Sequence, residues 1–162
     1  MSVRSAEVAA YTPAGQRTRQ QSDAERRLRV ELAAAYRLVD HFGWTEQIYG
    51  HLTARIPGAD NHFLINAFGE NYDEVTASGL VKIDVDGNAV DNAAALVSYA
   101  GFVIHSAIHM CHEARNQVVM HIHSRAGMAI AAIQEGLLPI SMSGGPATIR
   151  HADNGIAVIR LT

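Results

Sequence analysis

Two histidines separated by a single residue, His121 and His123, are the side chains of this sequence best suited to chemistry. They end the apolar run Val118-Val119-Met120, which predicts a buried β-strand, and side chains two apart on a strand project from the same face. Two imidazoles on one face can bind one metal ion. A pair of hydrogen-bonded core histidines is the alternative. A catalytic zinc site usually has about three protein ligands, so the pair alone leaves both interpretations open.

A second group of histidines falls on one face of a helix predicted over residues 99–114. His105, His109 and His112 are spaced so that their side chains lie near one stripe of that helix. They could complete a metal site, although hydrogen-bonded imidazoles on a half-buried face are the favoured interpretation for His109 and His112. The metalloprotease pattern His-Glu-x-x-His is excluded, because Asn116 stands where its second histidine would be.

A short turn rich in small and hydroxyl-bearing residues lies near the middle of the chain, at Thr76-Ala77-Ser78-Gly79. Such a turn can present N–H and O–H donors to an anion. From the sequence alone, an ordinary turn or helix start is the simpler interpretation.

The elements that must position these residues follow from hydrophobic periodicity and turn signals. The polar segment 1–21 predicts a flexible tail. Beyond it, the pattern predicts helices over 23–41, 99–114 and 125–134, and strands over 50–56, 63–66, 80–85, 118–123, 138–140 and 156–159. A tight hairpin turn is expected at Asp86-Gly87-Asn88. Short strands with hairpin-like connections between helices predict an α/β fold with a largely antiparallel sheet sandwiched by helices.

Composition limits the classes of function. The chain has 162 residues, enough for one domain, with 48% apolar and 18% charged residues. A net charge of −3 gives no basic excess, so neither nucleic acid nor a membrane surface is an expected partner. The single cysteine, Cys111, excludes an intrachain disulfide and is expected to be a buried structural thiol. Without a signal peptide or an apolar span, we expect a cytoplasmic protein.

Several segments, in this order, resemble the class II aldolase/adducin family, in its adducin-like branch. The resemblance runs from about residue 25 to 162, and the matching segments are 50–55, 63–66, 73–84, 100–109, 119–123 and 136–141. It implies a three-layer α/β/α sandwich with a central, mostly antiparallel sheet, commonly assembled as a homo-tetramer with sites at subunit interfaces. It also implies a divalent metal, most often Zn²⁺, held by histidines. The metal acts as a Lewis acid on an enediolate during aldol cleavage, epimerisation, dehydration or decarboxylation.

Carried over residue by residue, the resemblance assigns His121 and His123 to the first two metal ligands. It assigns Thr76, Ser78 and Gly79 to contacts with an anionic part of a small-molecule substrate. His105 is expected to act as a catalytic proton carrier or to lie just behind the metal ligands.

The departures from the family pattern are equally specific. The third metal histidine would follow Thr162, so we expect a domain over 22–162 that is cut short at its C-terminal end. Gly101 replaces the catalytic carboxylate of the sugar-phosphate aldolases, and His51 replaces an asparagine. Tyr99 and Ala100 replace two phosphate-binding serines.

A sugar-phosphate aldolase of the usual mechanism is therefore not expected. Proton transfer would need His51, His105 or Glu70, and a third ligand would need His51, His105, His151 or a neighbouring subunit.

The sequence thus predicts a metal-dependent, lyase-like aldolase domain for a small oxygenated or hydroxy-carbonyl substrate, deficient in catalysis if no group replaces the third ligand. The alternative is a non-catalytic, adducin-like domain that works through oligomerisation and interaction. A remnant with no retained function is the third possibility.

Overall fold

The computed structural model describes residues 21–58, 61–111 and 116–134, together with the backbone of two strands at 148–151 and 157–160. In chain order the elements are α1 (Asp23–His41), β1 (His51–Arg55), β2 (Phe63–Ile65), β3 (Val81–Ile83), α2 (Tyr99–Cys111), β4 (Val118–His121), α3 (Arg125–Ala131), β5 (Thr148–His151) and β6 (Ala157–Arg160). One sheet has the order β3-β2-β1-β4, and β5 pairs with β6. All these pairings are antiparallel, which confirms the predicted α/β fold class.

The first helix begins and ends where its capping residues predict. The Ser22 hydroxyl accepts the backbone N–H of Glu25 at 3.1 Å, which caps the N-terminus of α1. Gly43 follows the helix with a φ of 65°, a conformation that glycine adopts without strain. Between these ends, Leu32, Tyr36 and Val39 are buried at helical spacing, so α1 covers the sheet with one apolar stripe.

The central strand β1 has two different faces, because side chains alternate along a strand. Leu52 and Ala54 belong to the hydrophobic core under α1. Thr53 points the other way and hydrogen-bonds histidines of α2. The two helices therefore lie on opposite sides of the sheet. The face under α2 is polar at Thr53, and at β2 and β3 it carries a second apolar cluster that includes Phe63 and Ile83.

The buried side of α2 consists of polar residues and one glycine: Gly101, His105, Ser106 and His109. Of its apolar side chains, Val103 and Met110 are 42% and 39% exposed, whereas Phe102 packs against the buried apolar residues of β2 and β3. The predicted hydrogen-bonded environment of His109 is confirmed. His112 lies outside the described residues.

Two expectations were wrong. The strand ending in the histidine pair is not buried, since Val118 is 60% and Met120 53% exposed. The reason is that β4 pairs only with β1 in the four-stranded sheet, so it is an edge strand there. Cys111 is exposed rather than buried, because it lies at the end of α2.

The remaining element predictions differ mainly at their ends. The strand β6 corresponds to the one predicted over 156–159, whereas β5 was not predicted. The strand predicted over 138–140 lies outside the described residues. The predicted hairpin turn is confirmed by the hydrogen bond from Asp84 N–H to the Asn88 carbonyl. Within the described residues, the helices are all too short or too polar to cross a membrane.

A buried ion network, not foreseen from the sequence, joins α1 to the β3 hairpin. Arg29 is 2% exposed and contacts the carboxylates of Glu25 at 2.8 Å and Asp91 at 2.7 Å. Lys82 of β3 reaches the other oxygen of Glu25 at 2.9 Å. Burial by itself would raise the pKa of Glu25, but hydrogen bonds from Lys82 and Arg29 hold it below its usual value.

The hydroxyl of Tyr36 joins α1 to β1 and to the end of β2. It accepts the backbone N–H of Leu52 at 2.8 Å, and its proton faces the Leu52 carbonyl at 2.7 Å and Asn66 Oδ1 at 2.8 Å. Because the ring is fully buried, water cannot replace these contacts. The hydroxyl therefore holds the strand in place directly beside His51.

The Tyr36 contacts generate a stability prediction. Tyr36→Phe keeps the ring but leaves the Leu52 N–H without its partner, so we expect a loss of about 1–3 kcal/mol in the free energy of unfolding. Urea unfolding followed by circular dichroism measures this loss. Tyr99→Phe is the matched control, because Tyr99 is 76% exposed. Equal stability of the two variants would contradict the prediction.

Candidate metal centre

Three histidines from three elements meet on the side of the sheet that α2 covers. They are His51 at the start of β1, His105 in the middle of α2 and His121 at the end of β4. One ring nitrogen from each lies within 4.8 Å of the others. The β1–β4 register sets His51 directly opposite His121, so two of the three imidazoles are neighbours across the ladder. The third arrives from the helix above them.

His123 joins this cluster through His121. The Nε2 atoms of the two rings are 3.2 Å apart. Two nitrogens bound to one tetrahedral zinc ion through bonds of about 2.0–2.1 Å are separated by roughly 3.3–3.4 Å. The structure therefore brings the predicted pair to a spacing that suits a shared ion, although His123 itself follows the last residue of β4.

A carboxylate orients His123. Glu46 Oε2 lies 2.5 Å from His123 Nδ1, and Tyr49 stacks on the same ring with an interplanar angle of 6°. Metal-binding histidines usually donate their second ring N–H to such an acceptor, which leaves the other nitrogen free to bind. Sequence analysis missed Glu46, because its loop carries no motif that relates it to a histidine far along the chain.

Two buried nitrogens of the cluster have no protein partner. Among the described residues, His51 Nδ1 and His105 Nε2 are enclosed and make no hydrogen bond. Buried polar atoms are nearly always satisfied, so such atoms call for an explanation such as an ion. Their chemistry fits a borderline divalent metal, for which neutral imidazole is a preferred ligand.

The environment keeps these imidazoles neutral. The pKa of His51 is lowered to about 4, mainly by burial and also by the nearby His121 and His123. Burial likewise lowers the pKa of His105 to about 3, with smaller contributions from His51 and His109. Burial also lowers the pKa of His121. A neutral imidazole is the form that binds a metal.

Behind the cluster, a chain of hydrogen bonds runs from α2 to the start of β4. The Thr53 hydroxyl lies 2.8 Å from His105 Nδ1 and 2.7 Å from His109 Nε2. His109 Nδ1 lies 2.6 Å from the carbonyl oxygen of Asn116. Thr53 follows His51 by two residues and so shares its strand face, which is the one sequence signal that could have identified it.

Gly101 makes room for His51. A Cβ atom added to Gly101 would lie only 3.0 Å from Cγ of the His51 ring. The imidazole therefore fills the space into which a side chain at position 101 would project. The two departures from the family pattern at these positions are consequently complementary in shape.

The hydroxyl-rich segment is confirmed as a turn, and the Thr76 side chain closes it. Thr76 Oγ1 accepts the N–H of Gly79 at 3.0 Å and lies 3.4 Å from Ser78 Oγ. A Cβ on Gly79 would be 3.4 Å from Glu70 Oε1, so a carboxylate lies beside the turn. Tyr72, in the same segment, donates to the His121 carbonyl at 3.2 Å and thereby connects this segment to the cluster.

Comparison with known proteins identifies the family of this chain. Residues 30–160 match the family described as Class II Aldolase and Adducin N-terminal domain. The chain is 47% identical over 140 residues to a "Putative aldolase class 2 protein" of Caulobacter vibrioides, covering 85% of this chain and 54% of that protein. It is 49% identical over 119 residues to alpha-adducin of Rattus norvegicus, covering 72% of this chain and 16% of that protein. The chain thus spans about half the length of the first relative and far less of the second.

Solved structures show the same fold. An aldolase II superfamily protein from Pseudomonas syringae superposes with a TM-score of 0.73 at 52% identity, covering 77% of this chain and 50% of that one. L-fuculose 1-phosphate aldolase from Glaciozyma antarctica superposes with a TM-score of 0.62 at 30% identity, covering 74% of this chain and 50% of that one. The predicted fold, a class II aldolase-like α/β/α sandwich, is confirmed.

The low pKa of His105 predicts a pH-dependent stability. Its pKa is about 3 in the folded protein and about 6.5 when unfolded. Below pH 6.5, His105 is therefore protonated in the unfolded chain but stays neutral in the folded protein, so stability is lost as the pH falls. At pH 5 this loss is about 2 kcal/mol from His105 alone. Urea unfolding of chelator-treated protein at pH 7 and pH 5 measures it.

His105→Gln should reduce the pH dependence without abolishing it, because the pKa of the buried His51 is also lowered, to about 4. Tyr99→Phe, at an exposed residue of the same helix, is the control. An unaltered pH dependence in His105→Gln would show that another group causes it. A direct NMR titration of the His105 ring, expected to stay neutral down to pH 5, gives a reading that needs no variant.

The close packing of His51 on Gly101 predicts a coupled pair of substitutions. Alanine is favoured over glycine in a helix by up to about 1 kcal/mol, but here the added methyl group meets the ring. Gly101→Ala should therefore be neutral or destabilising in the native chain and stabilising by about 0.5–1 kcal/mol in a His51→Ala background. A double-mutant cycle by urea unfolding measures the coupling, and additive effects would refute the packing argument.

Proposed function

Because this chain belongs to the class II aldolase and adducin N-terminal domain family, we propose that it is the metal-binding part of an aldolase-type lyase for a small hydroxy-carbonyl substrate. The single observation that carries the proposal is the 3.2 Å separation of the His121 and His123 Nε2 atoms, beside buried imidazole nitrogens without protein partners. His121 and His123 would hold a divalent ion, for which Zn²⁺ is the first candidate. Such an ion, when bound, supplies Lewis-acid polarisation of a substrate oxygen.

The residues of the chain determine how this site could work. Glu46 holds the His123 ring, and Tyr72 fixes the His121 backbone, so both imidazoles are oriented before any ligand arrives. A catalytic base works best with a pKa near the working pH. His105 has a pKa of about 3, which makes it a weak base, so it fits a ligand or an orienting role better than proton transfer.

Thr76, Ser78 and Gly79 are proposed to contact the substrate. The N–H and O–H groups of this turn would be donors to an anionic part of that substrate.

A non-catalytic, adducin-like interaction domain is the second candidate function. Two observations favour it: the identity to alpha-adducin, and the exposed apolar side chains on β4. Val118 and Met120 are 60% and 53% exposed on one face of this strand, which suits contact with another protein surface. We propose a homo-oligomer, a tetramer by analogy with the family. We also propose a cytoplasmic location, consistent with the free Cys111.

Metal content decides between the two candidates. Elemental analysis of chelator-free protein should find about one divalent ion per chain. His123→Ala and His121→Ala should each lose most of it, while His41→Ala should retain it. Lyase activity on small ketoses and hydroxy acids, assayed with restored metal, should disappear in the same two variants. A wild-type protein without bound metal, yet stably oligomeric, would support the interaction domain and exclude the lyase.

A further inference from the structure

We propose that His51 and His105 are further ligands of the ion bound by His121, and that Thr53 and His109 act as positioning residues by fixing the ring tautomer of His105. This inference rests on the proposed function, because it completes the same metal site. It adds two nitrogen donors from the described part of this chain to the two of the proposed site.

The outer end is the carbonyl oxygen of Asn116. A carbonyl has no proton to give, so His109 Nδ1, 2.6 Å away, must carry the hydrogen and donate it. Burial lowers the pKa of His109, and the charge of the nearby Arg55 lowers it further. The ring is therefore neutral, with its one proton on Nδ1. His109 Nε2 is consequently an acceptor.

The middle of the chain is the Thr53 hydroxyl, which has one proton. His109 Nε2 needs that proton, so Thr53 donates across 2.7 Å to His109. The same oxygen then accepts from its other neighbour, His105 Nδ1, at 2.8 Å. Reversing these bonds would require a doubly protonated, buried His109 close to Arg55, which burial and charge both oppose.

The inner end is His105 Nε2. A neutral imidazole with its proton on Nδ1 has a bare lone pair on Nε2. This atom is buried without a hydrogen-bond partner among the described residues, and His105 belongs to the group of converging nitrogens with His51 and His121. A metal-binding histidine usually donates one ring N–H to an oxygen outside the site, and its other nitrogen directs a lone pair at the metal.

His51 reaches the same point by a different route. Its backbone is held opposite His121 by the strand register, and its ring rests on Gly101, which has no side chain to displace it. Its Nδ1 is the second buried nitrogen without a partner. Neutral nitrogen donors of this kind select Zn²⁺, Co²⁺ or Ni²⁺ over Mg²⁺ and Ca²⁺, which prefer oxygen.

The tautomer of His105 can be tested without metal or activity. Long-range nitrogen–proton NMR spectra of the metal-free full chain should show His105 and His109 both protonated at Nδ1. A His105 ring protonated at Nε2 would overturn the positioning role, because that nitrogen could not bind a metal without first losing its proton. Since this measurement uses the wild-type protein, it does not depend on whether any variant folds.

Metal titration tests the ligands themselves. Co²⁺ is the probe, with its visible absorption and competition against a chelator as readouts. Relative to the wild type, His51→Ala and His105→Ala should bind Co²⁺ at least about 100-fold more weakly and alter the absorption spectrum. Thr53→Val should weaken binding about 10–100-fold, because the His105 ring loses the hydrogen bond that orients it, and Thr53→Ser should restore binding. His41→Ala is the control, and circular dichroism confirms that each variant is folded.

The outcomes separate this inference from the proposed function. Co²⁺ binding that His121→Ala and His123→Ala abolish, but that His51→Ala and His105→Ala leave unchanged, would overturn the inference and leave the metal-dependent function intact. A wild-type chain that binds no Co²⁺ or Zn²⁺ would overturn both. Weakened binding in His105→Ala and Thr53→Val, with recovery in Thr53→Ser, would establish the positioning role.

Discussion

The contact between α2 and β1 is the interaction on which the site depends, and it is polar. The Thr53 hydroxyl lies between His105 and His109, and these three side chains are all buried. A buried hydrogen bond stabilises modestly when it is made and costs much more when one partner is lost. The helix therefore has one favourable rotation and height over the strand. That placement brings His105 to His51 and His121.

The opposite face of β1 supplies the rigidity that such a polar contact needs. Leu52 and Ala54 pack in the apolar core with α1, and the buried Tyr36 hydroxyl holds the Leu52 backbone. A close-packed core resists small displacements, so the strand is a fixed platform for the side chains on its other face. Because side chains alternate along a strand, Leu52 and Ala54 pack in the core while His51 and Thr53 face the site.

The same framework is shared by relatives with aldolase names and by adducins, so the fold by itself does not determine the activity. The activity depends instead on local chemistry. His51 and Gly101 are complementary in shape, and the imidazole ring lies where a side chain at position 101 would project. His51 thereby adds its imidazole to those of His105 and His121, while Glu46 contacts the ring of His123.

The sequence by itself determined what depends on near neighbours in the chain. Capping and spacing located α1, alternation located β1, a short apolar run located β2, and the shared face of residues two apart brought His121 and His123 together. Only the tertiary structure decided what depends on distant pairings. Thr53 and His105 are 52 residues apart in sequence, and the register of β1 against β4 sets His51 opposite His121. The exposure of Val118 and Met120 also depends on the edge position of β4. An apolar run in the sequence does not show whether its strand lies in the middle of a sheet or at the edge.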